Sequence, residues 1–275
     1  MFGFSVLKKI WAALIAAVTL LAVAAEKGAP PPEGAELTGS DTFVLTDALL
    51  RGQGITTDGT YYYYSGNFFL SKSTLDNRQT AAVNRFAIPP RLLAKGCNHI
   101  GGISWYDGKI YAAIEDGSDY MHPFIAVYDA ETLRFTGEYY ELPQSLHIDG
   151  VPWCAVDGPN GYLYTAEWSN AKALNVFRLE DMSFVKTVPL SMTLDRIQGG
   201  NMYAGTLYLS ADLGDAKPVY AVNPATGECR LLFTRNVGAA TETESMTVWP
   251  MPDGSLFHVQ DIGPDRYYVT VRHYR

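Results

Sequence analysis

The chain has 275 residues, 47% of them apolar and 18% charged, with 25 glycines, 15 prolines and 18 tyrosines. That is long enough for a sizeable core and too apolar for a disordered chain, and the glycines keep no collagen-like period. Against 21 basic residues stand 29 acidic ones, a net charge of −8, which argues against a nucleic-acid groove and suits cationic or small polar ligands.

Lys8 and Lys9 precede an apolar run, Ile10 to Ala25, that gives way at once to Glu26 and Lys27. A charged start, a short apolar stretch and small residues at Ala22-Val23-Ala24 form the pattern of a secretory signal peptide over residues 1–24. The run is 16 residues long, short of the roughly 20 that a membrane helix needs. The expectation is export to an extracytoplasmic or extracellular location, with a membrane tie only if cleavage fails. Removing the segment takes two lysines and no acid, which moves the balance from −8 to −10. Residues 25–40, with Gly28-Ala29-Pro30-Pro31-Pro32-Glu33-Gly34, then read as a stiff linker. Cys97, Cys154 and Cys229 are too few for a disulfide framework; one bridge is open to them, Cys97–Cys154 among the choices.

From residue 41 onward helical periodicity fades. Short runs rich in Tyr, Val, Ile and Phe are separated by turn pairs at Asp58-Gly59, Asp107-Gly108, Asn160-Gly161, Ala204-Gly205 and Asp253-Gly254. Four of these are the Asp/Asn-Gly pairs of two-residue hairpins, in which both central residues take positive φ. Their glycines are 49, 53, 44 and 49 residues apart. A second turn follows in four units, at Asp76-Asn77, Asp129-Ala130, Glu180-Asp181 and Asn223-Pro224. Four short strands repeated at this period predict an all-β fold, a five-bladed β-propeller spanning residues 41–275. The fifth unit ends after three strands. A lone strand near 42–46 precedes the first, so the N-terminal strand is expected to complete the last blade and remove an exposed edge.

In such a ring the starts of the first strands and the ends of the second strands meet at one mouth of the channel. The starts bring Gln53, Asn98, His99, Asp149, Gln198, Glu242 and Glu244. The second-strand ends bring Glu115, Asp116, Glu167, Asp212, Gln260 and Asp261, while the first blade adds only Ser65 and Asn67. Three readings stay open. Oxygen ligands from several loops suit Ca²⁺, with Glu115, Asp149, Glu167, Asp212, Glu244 and Asp261 as the ligand set. Clustered acids without a cation raise one another's pKa and suit general acid–base work. Acids at strand ends also serve as solvated loop residues or satisfy turn amides.

His99, Glu115 and Glu167 are the catalytic candidates, with His147 second choice among the histidines. His258 reads as packing, and His122 and His273 have no supporting constellation. Gln53, Asn98, Asp149, Gln198 and Trp168 are the candidates for holding a small-molecule or glycan ligand. Trp105, Trp153 and Trp249 read either as filling between blades or as a stacking floor. Tyr61 to Tyr64 alternate across one strand and read as inter-blade packing.

The repeated pattern Gln53-Gly54-Ile55, Asp58-Gly59, Tyr64-Ser65-Gly66, echoed by Gly102-Ile103, Asp107-Gly108 and Ile114-Glu115-Asp116, resembles the lactonase-type propellers. These include gluconolactonases, paraoxonases and strictosidine synthases, usually six-bladed, and the resemblance implies a cation at the mouth and hydrolysis of a lactone, ester or phosphoester. Arg51-Gly52-Gln53-Gly54-Ile55-Thr56 is similar to the opening blade motif of the five-bladed plant-type glutaminyl cyclotransferases, which implies metal-independent acyl transfer with a glutamate as acid–base. That family's later Asn-Glu-Leu-Glu segment has no counterpart here. A non-catalytic propeller binding a glycan or protein is the remaining alternative.

Overall fold

The computed structural model describes residues 2–28 and 32–275; Ala29 to Pro31 of the expected linker lie outside the described residues. Helix α1 (Phe2–Gly28) is followed by strand β1 (Leu37–Val44), the short helix α2 (Thr46–Leu49), and the strands β2 (Gly54–Thr57), β3 (Tyr61–Gly66), β4 (Phe69–Thr74) and β5 (Thr80–Asn84). A second short helix, α3 (Pro90–Leu93), leads into β6 (His99–Tyr106), β7 (Lys109–Glu115), β8 (Phe124–Asp129) and β9 (Phe135–Glu141). Next come β10 (Ala155–Asp157), β11 (Tyr162–Thr165), β12 (Ala171–Arg178) and β13 (Phe184–Leu194). The last strands are β14 (Ile197–Tyr203), β15 (Thr206–Ala211), β16 (Ala216–Val222), β17 (Cys229–Asn236), β18 (Glu242–Val248), β19 (Phe257–Ile262) and β20 (Tyr268–Tyr274).

These strands make five antiparallel four-stranded sheets, each a meander of consecutive strands except one, whose order is β1-β20-β19-β18. The molecule is a five-bladed propeller, and the N-terminal strand completes blade 5. Thr42 pairs with Thr270 and Phe43 with Val269. The closing strand ends earlier than the sequence suggested, because Leu45 takes a positive φ of 55° and Thr46 opens α2. It also begins earlier. The Glu33 amide already donates to the Thr234 carbonyl at 2.8 Å, so attachment to the ring starts within the stretch expected to be linker. All five sheets lie between Leu37 and Tyr274.

Helix α1 carries a 20-residue span, Val6–Ala25, of mean hydropathy 2.0. By length and composition it could cross a bilayer, and it is longer than the run read from the sequence. It is equally compatible with a signal sequence. Val18 and Ala22 pack against Tyr268, Val44 and Leu45.

Each predicted hairpin joins the first and second strands of a blade, but the turns differ in kind. Both central residues take positive φ only at Asp107-Gly108 and Ala204-Gly205. At Asp58 the carboxylate instead accepts the Thr60 and Tyr61 amides, each at 2.7 Å, and Asp253 accepts the Ser255 amide at 2.9 Å. These side chains form Asx turns, which need no left-handed aspartate.

The core lies between the blades. Tyr62 and Tyr64 face blade 5 with Ile262, Val269 and Val271, while Tyr63 faces blade 2 with Ile103 and Ile110. This is the alternation across one strand read from the sequence. Trp153 is fully buried and shares its cluster with Leu174 and Leu209. Trp105 and Trp249 are half-buried and line a cavity of about 280 Å³ at one end of the channel. Cys97, Cys154 and Cys229 are free thiols, and burial pushes those of Cys97 and Cys154 up to about 12.

The inner strands meet where there is no room for side chains. A Cβ on Gly54 would stand 2.5 Å from Ser65 Oγ and 2.8 Å from the Gly101 carbonyl oxygen, and one on Gly199 would stand 2.5 Å from Ser245 Cα. Gly54→Ala should therefore cost about 1–3 kcal/mol by overpacking. Gly39→Ala in the closing strand, with nothing nearer than 4.0 Å, should stay within about 0.5 kcal/mol. Thermal denaturation of the two variants beside the parent chain checks the contrast.

Candidate functional site

The channel opens at its other end into a cavity of about 410 Å³. Gln53, His99, Glu115, Asp149, Trp168, Gln198, Glu242 and Glu244 line it, joined by Asn67, Tyr120, Pro152 and Arg266. Most come from the segments entering the innermost strands or leaving the second strands. This is the convergence expected from the blade geometry.

A continuous set of polar contacts crosses the floor. His99 Nδ1 lies 2.9 Å from Glu115 Oε1, and His99 Nε2 donates to the carboxamide oxygen of Gln53. The Gln53 amide nitrogen donates to the Gly52 carbonyl at 2.6 Å and to Glu244 Oε1 at 3.3 Å. Glu115 Oε2 accepts the Val151 amide at 2.6 Å. Glu244 is buried, and desolvation, aided by the negative charge of Glu242, holds its carboxyl well above the usual carboxylate range. Glu115, His99, Gln53 and Glu244 thus stand in series.

Around the rim, Asp149 accepts the amides of Trp168 at 3.0 Å and Ser169 at 2.7 Å, which orients the Trp168 segment. Trp168 Nε1 donates to Gln198 Oε1 at 3.1 Å, Gln198 donates to Glu242 at 3.4 Å, and Arg266 donates to Glu242 at 2.6 Å. The Arg196 guanidinium covers the Trp168 ring at 4.8 Å from its centroid.

Other candidates lie outside this group. Asn98 Oδ1 accepts the Gly117 amide at 2.9 Å, and the Asp116 carboxylate accepts the amides of Met121 and His122. Glu167 does not line the cavity; burial and the neighbouring Asp149 push its carboxyl up. Asp212 pairs with Lys217 and Arg196 and accepts the Thr243 amide. Asp261 is fully enclosed by Arg235, Arg272 and Thr243, and Gln260 donates to the Arg51 carbonyl. His147 is buried between the Pro143 carbonyl and Thr165 Oγ1, and burial lowers its pKa. His258, buried against the Trp249 carbonyl and His273, is lowered to about 4. These histidines serve packing.

Among the described residues, no three His, Cys, Asp or Glu side chains form a group that could hold a metal ion. Of the six acids expected as one ligand set, Glu115, Asp149 and Glu244 line the cavity, while Asp212 and Asp261 are paired with cations and Glu167 lies outside it. Arg266 was missed because it comes from the β19–β20 connection, whose sequence carries no mouth signal apart from its place in blade 5.

The pH dependence of Glu244 has a definite sign. Its folded pKa lies above the ordinary 4.5, so stability is lost as pH rises from the unfolded value through the folded one. Glu244→Gln, which copies the uncharged carboxyl, should melt higher than the parent chain at about pH 8, with the gap closing towards about pH 4.5. Melting curves across that range check it; a gap independent of pH would show that the carboxyl titrates alike in the folded and unfolded chain.

No protein-family model matches the chain, and no curated protein matches it in sequence. Solved structures do resemble it. One is the glutaminyl cyclase of Myxococcus xanthus, 11% identical, aligned over 89% of this chain and 98% of that one, with a TM-score of 0.62. The likeness establishes the propeller fold and fits the resemblance of the first blade to the glutaminyl cyclotransferases.

Proposed function

We propose that the acidic mouth is an acid–base site for acyl transfer at an amide or ester carbonyl of a small substrate bearing an ammonium group. The observation that carries this reading is the setting of the Gln53 carboxamide. Its oxygen accepts from His99 Nε2, and its nitrogen faces Glu244, an acid kept uncharged by burial. A substrate carboxamide held in the same sense would have a donor on its carbonyl oxygen and a proton source beside its leaving nitrogen. Glu115, Asp149 and Glu242 supply the negative field for the ammonium group.

In the cyclising form of the reaction, the bound α-ammonium first gives one proton to solvent, and the resulting amine attacks the δ-carboxamide carbon of an N-terminal glutamine. The new C–N bond forms, the old one breaks, and ammonia departs with a proton from Glu244 while the Glu115–His99 pair takes the proton of the attacking amine. The glutaminyl cyclase neighbour supports trying this substrate first. Lactone or ester hydrolysis would use the same groups with water as nucleophile. The −10 balance of residues 25–275 supports a second reading, a binding module for a cationic ligand without turnover.

The test is release of ammonia from an N-terminal glutaminyl dipeptide, with lactone and ester substrates assayed beside it. Parallel arms with EDTA and with Ca²⁺ read out any part played by a cation. Turnover that falls about 10²-fold or more in both Glu244→Gln and His99→Gln supports the proposal. Absence of turnover with every substrate overturns it, and dipeptide binding by calorimetry would then favour the binding module.

A further inference from the structure

Apart from α1, the exposed large apolar side chains among the described residues fall into two sets. Some lie on the outer or closing strands, as Phe184 and Leu231 do. Those in the connections between strands all lie at the mouth end: Leu49, Phe68, Phe86 and Leu93 around blades 1 and 2, and Met121, Ile148 and Tyr267 farther round. Phe86 is 91% exposed and Leu49 58%. The side chains near blade 1 form a connected surface. The Ala87 amide donates to the Phe68 carbonyl at 3.0 Å, and Leu49 and Phe68 line one pocket of about 240 Å³ with Ile262 and Val269.

Two features identify what this surface meets. Basic residues are interleaved with the apolar ones: Arg85 precedes Phe86 and Arg91 precedes Leu93, both exposed, while Lys95 beyond it is paired with Glu141 at 2.7 Å. Helix α1, apolar and long enough to cross a bilayer, docks on Val44, Leu45 and Tyr268 at the same end of the propeller. Leu45 leads directly into α2, which carries Leu49. We infer that the blade 1–blade 2 side of the mouth face sits on a lipid bilayer. Leu49, Phe68, Phe86 and Leu93 enter the headgroup–acyl boundary, and Arg85 and Arg91 meet phosphate groups. The inference stands on surface composition and is independent of the chemistry proposed for the mouth. It does require the channel to open beside the membrane, so that a ligand arriving along the lipid surface reaches His99 and Glu115 over this rim.

The test uses residues 26–275, which retain all five sheets, in sedimentation with vesicles of phosphatidylcholine and phosphatidylglycerol. The parent chain should pellet with the vesicles. A Leu49→Ser/Phe86→Ser double variant should partition about tenfold less or weaker still, since each loses a large inserted side chain. A Phe184→Ser/Leu231→Ser double variant, altered on the outer strands, should pellet like the parent. All four substituted positions are exposed, and the folds of the variants are compared by their melting midpoints. A parent chain that stays in solution, or an equal loss in both double variants, overturns the inference; the former would leave the surface to a protein partner.

Discussion

The ring depends on how closely its innermost strands approach. Gly54, Gly102, Gly199 and Gly200 occupy positions where a Cβ would meet backbone or a tryptophan ring, Trp153 in two of the four cases. Removing those side chains lets the inner strands of five sheets converge. The large residues are displaced outward into the seams, where tyrosines and branched aliphatics interlock at the density of a protein interior. A cavity opens at each of the channel's two ends. Each end is walled by what the strands carry there: aromatic residues at one, acids and amides at the other.

That geometry sorts the acidic residues by environment. At the ends of second strands, Asp212 and Asp261 fall between blades rather than at the mouth, where low dielectric makes an unpaired carboxylate untenable. Lys217, Arg235 and Arg272 neutralise them from β16, β17 and β20. Glu244, equally buried and with no ion pair to a cation among the described residues, has its carboxyl held well above the usual carboxylate range by that burial. One physical rule thus gives structural ion pairs in one place and a carboxyl with a raised pKa in another. The second outcome makes the mouth chemically distinctive.

Much of this was legible in the chain. The spacing of turn glycines set the blade number, the incomplete fifth unit implied closure by the N-terminal strand, and strand-end arithmetic brought Gln53, His99, Glu115, Asp149, Gln198 and Glu244 to one cavity. What escaped was cross-strand partnership. Asp261 looks like a mouth ligand until Arg235 and Arg272, distant in sequence or on another strand, are placed against it. Asp58 looks like a left-handed hairpin residue until its carboxylate is seen to hold two amides. In each case one-dimensional spacing locates a side chain along the axis of a blade but says nothing of which neighbour faces it.

Closure by β1 also imposes an order of events. Blade 5 cannot be completed until the strand ending at Tyr274 is available to pair with residues 37–44, and the Arg275 guanidinium then locks onto Glu36 at 2.8 Å. During synthesis, the first four blades can assemble in succession, but the seam that covers Tyr62 and Tyr64 waits for the last strand. If the chain is exported, the closed ring forms only on the far side of the membrane, after the C-terminal strand has crossed. A chain held open in this way stays threadable until its passage is complete.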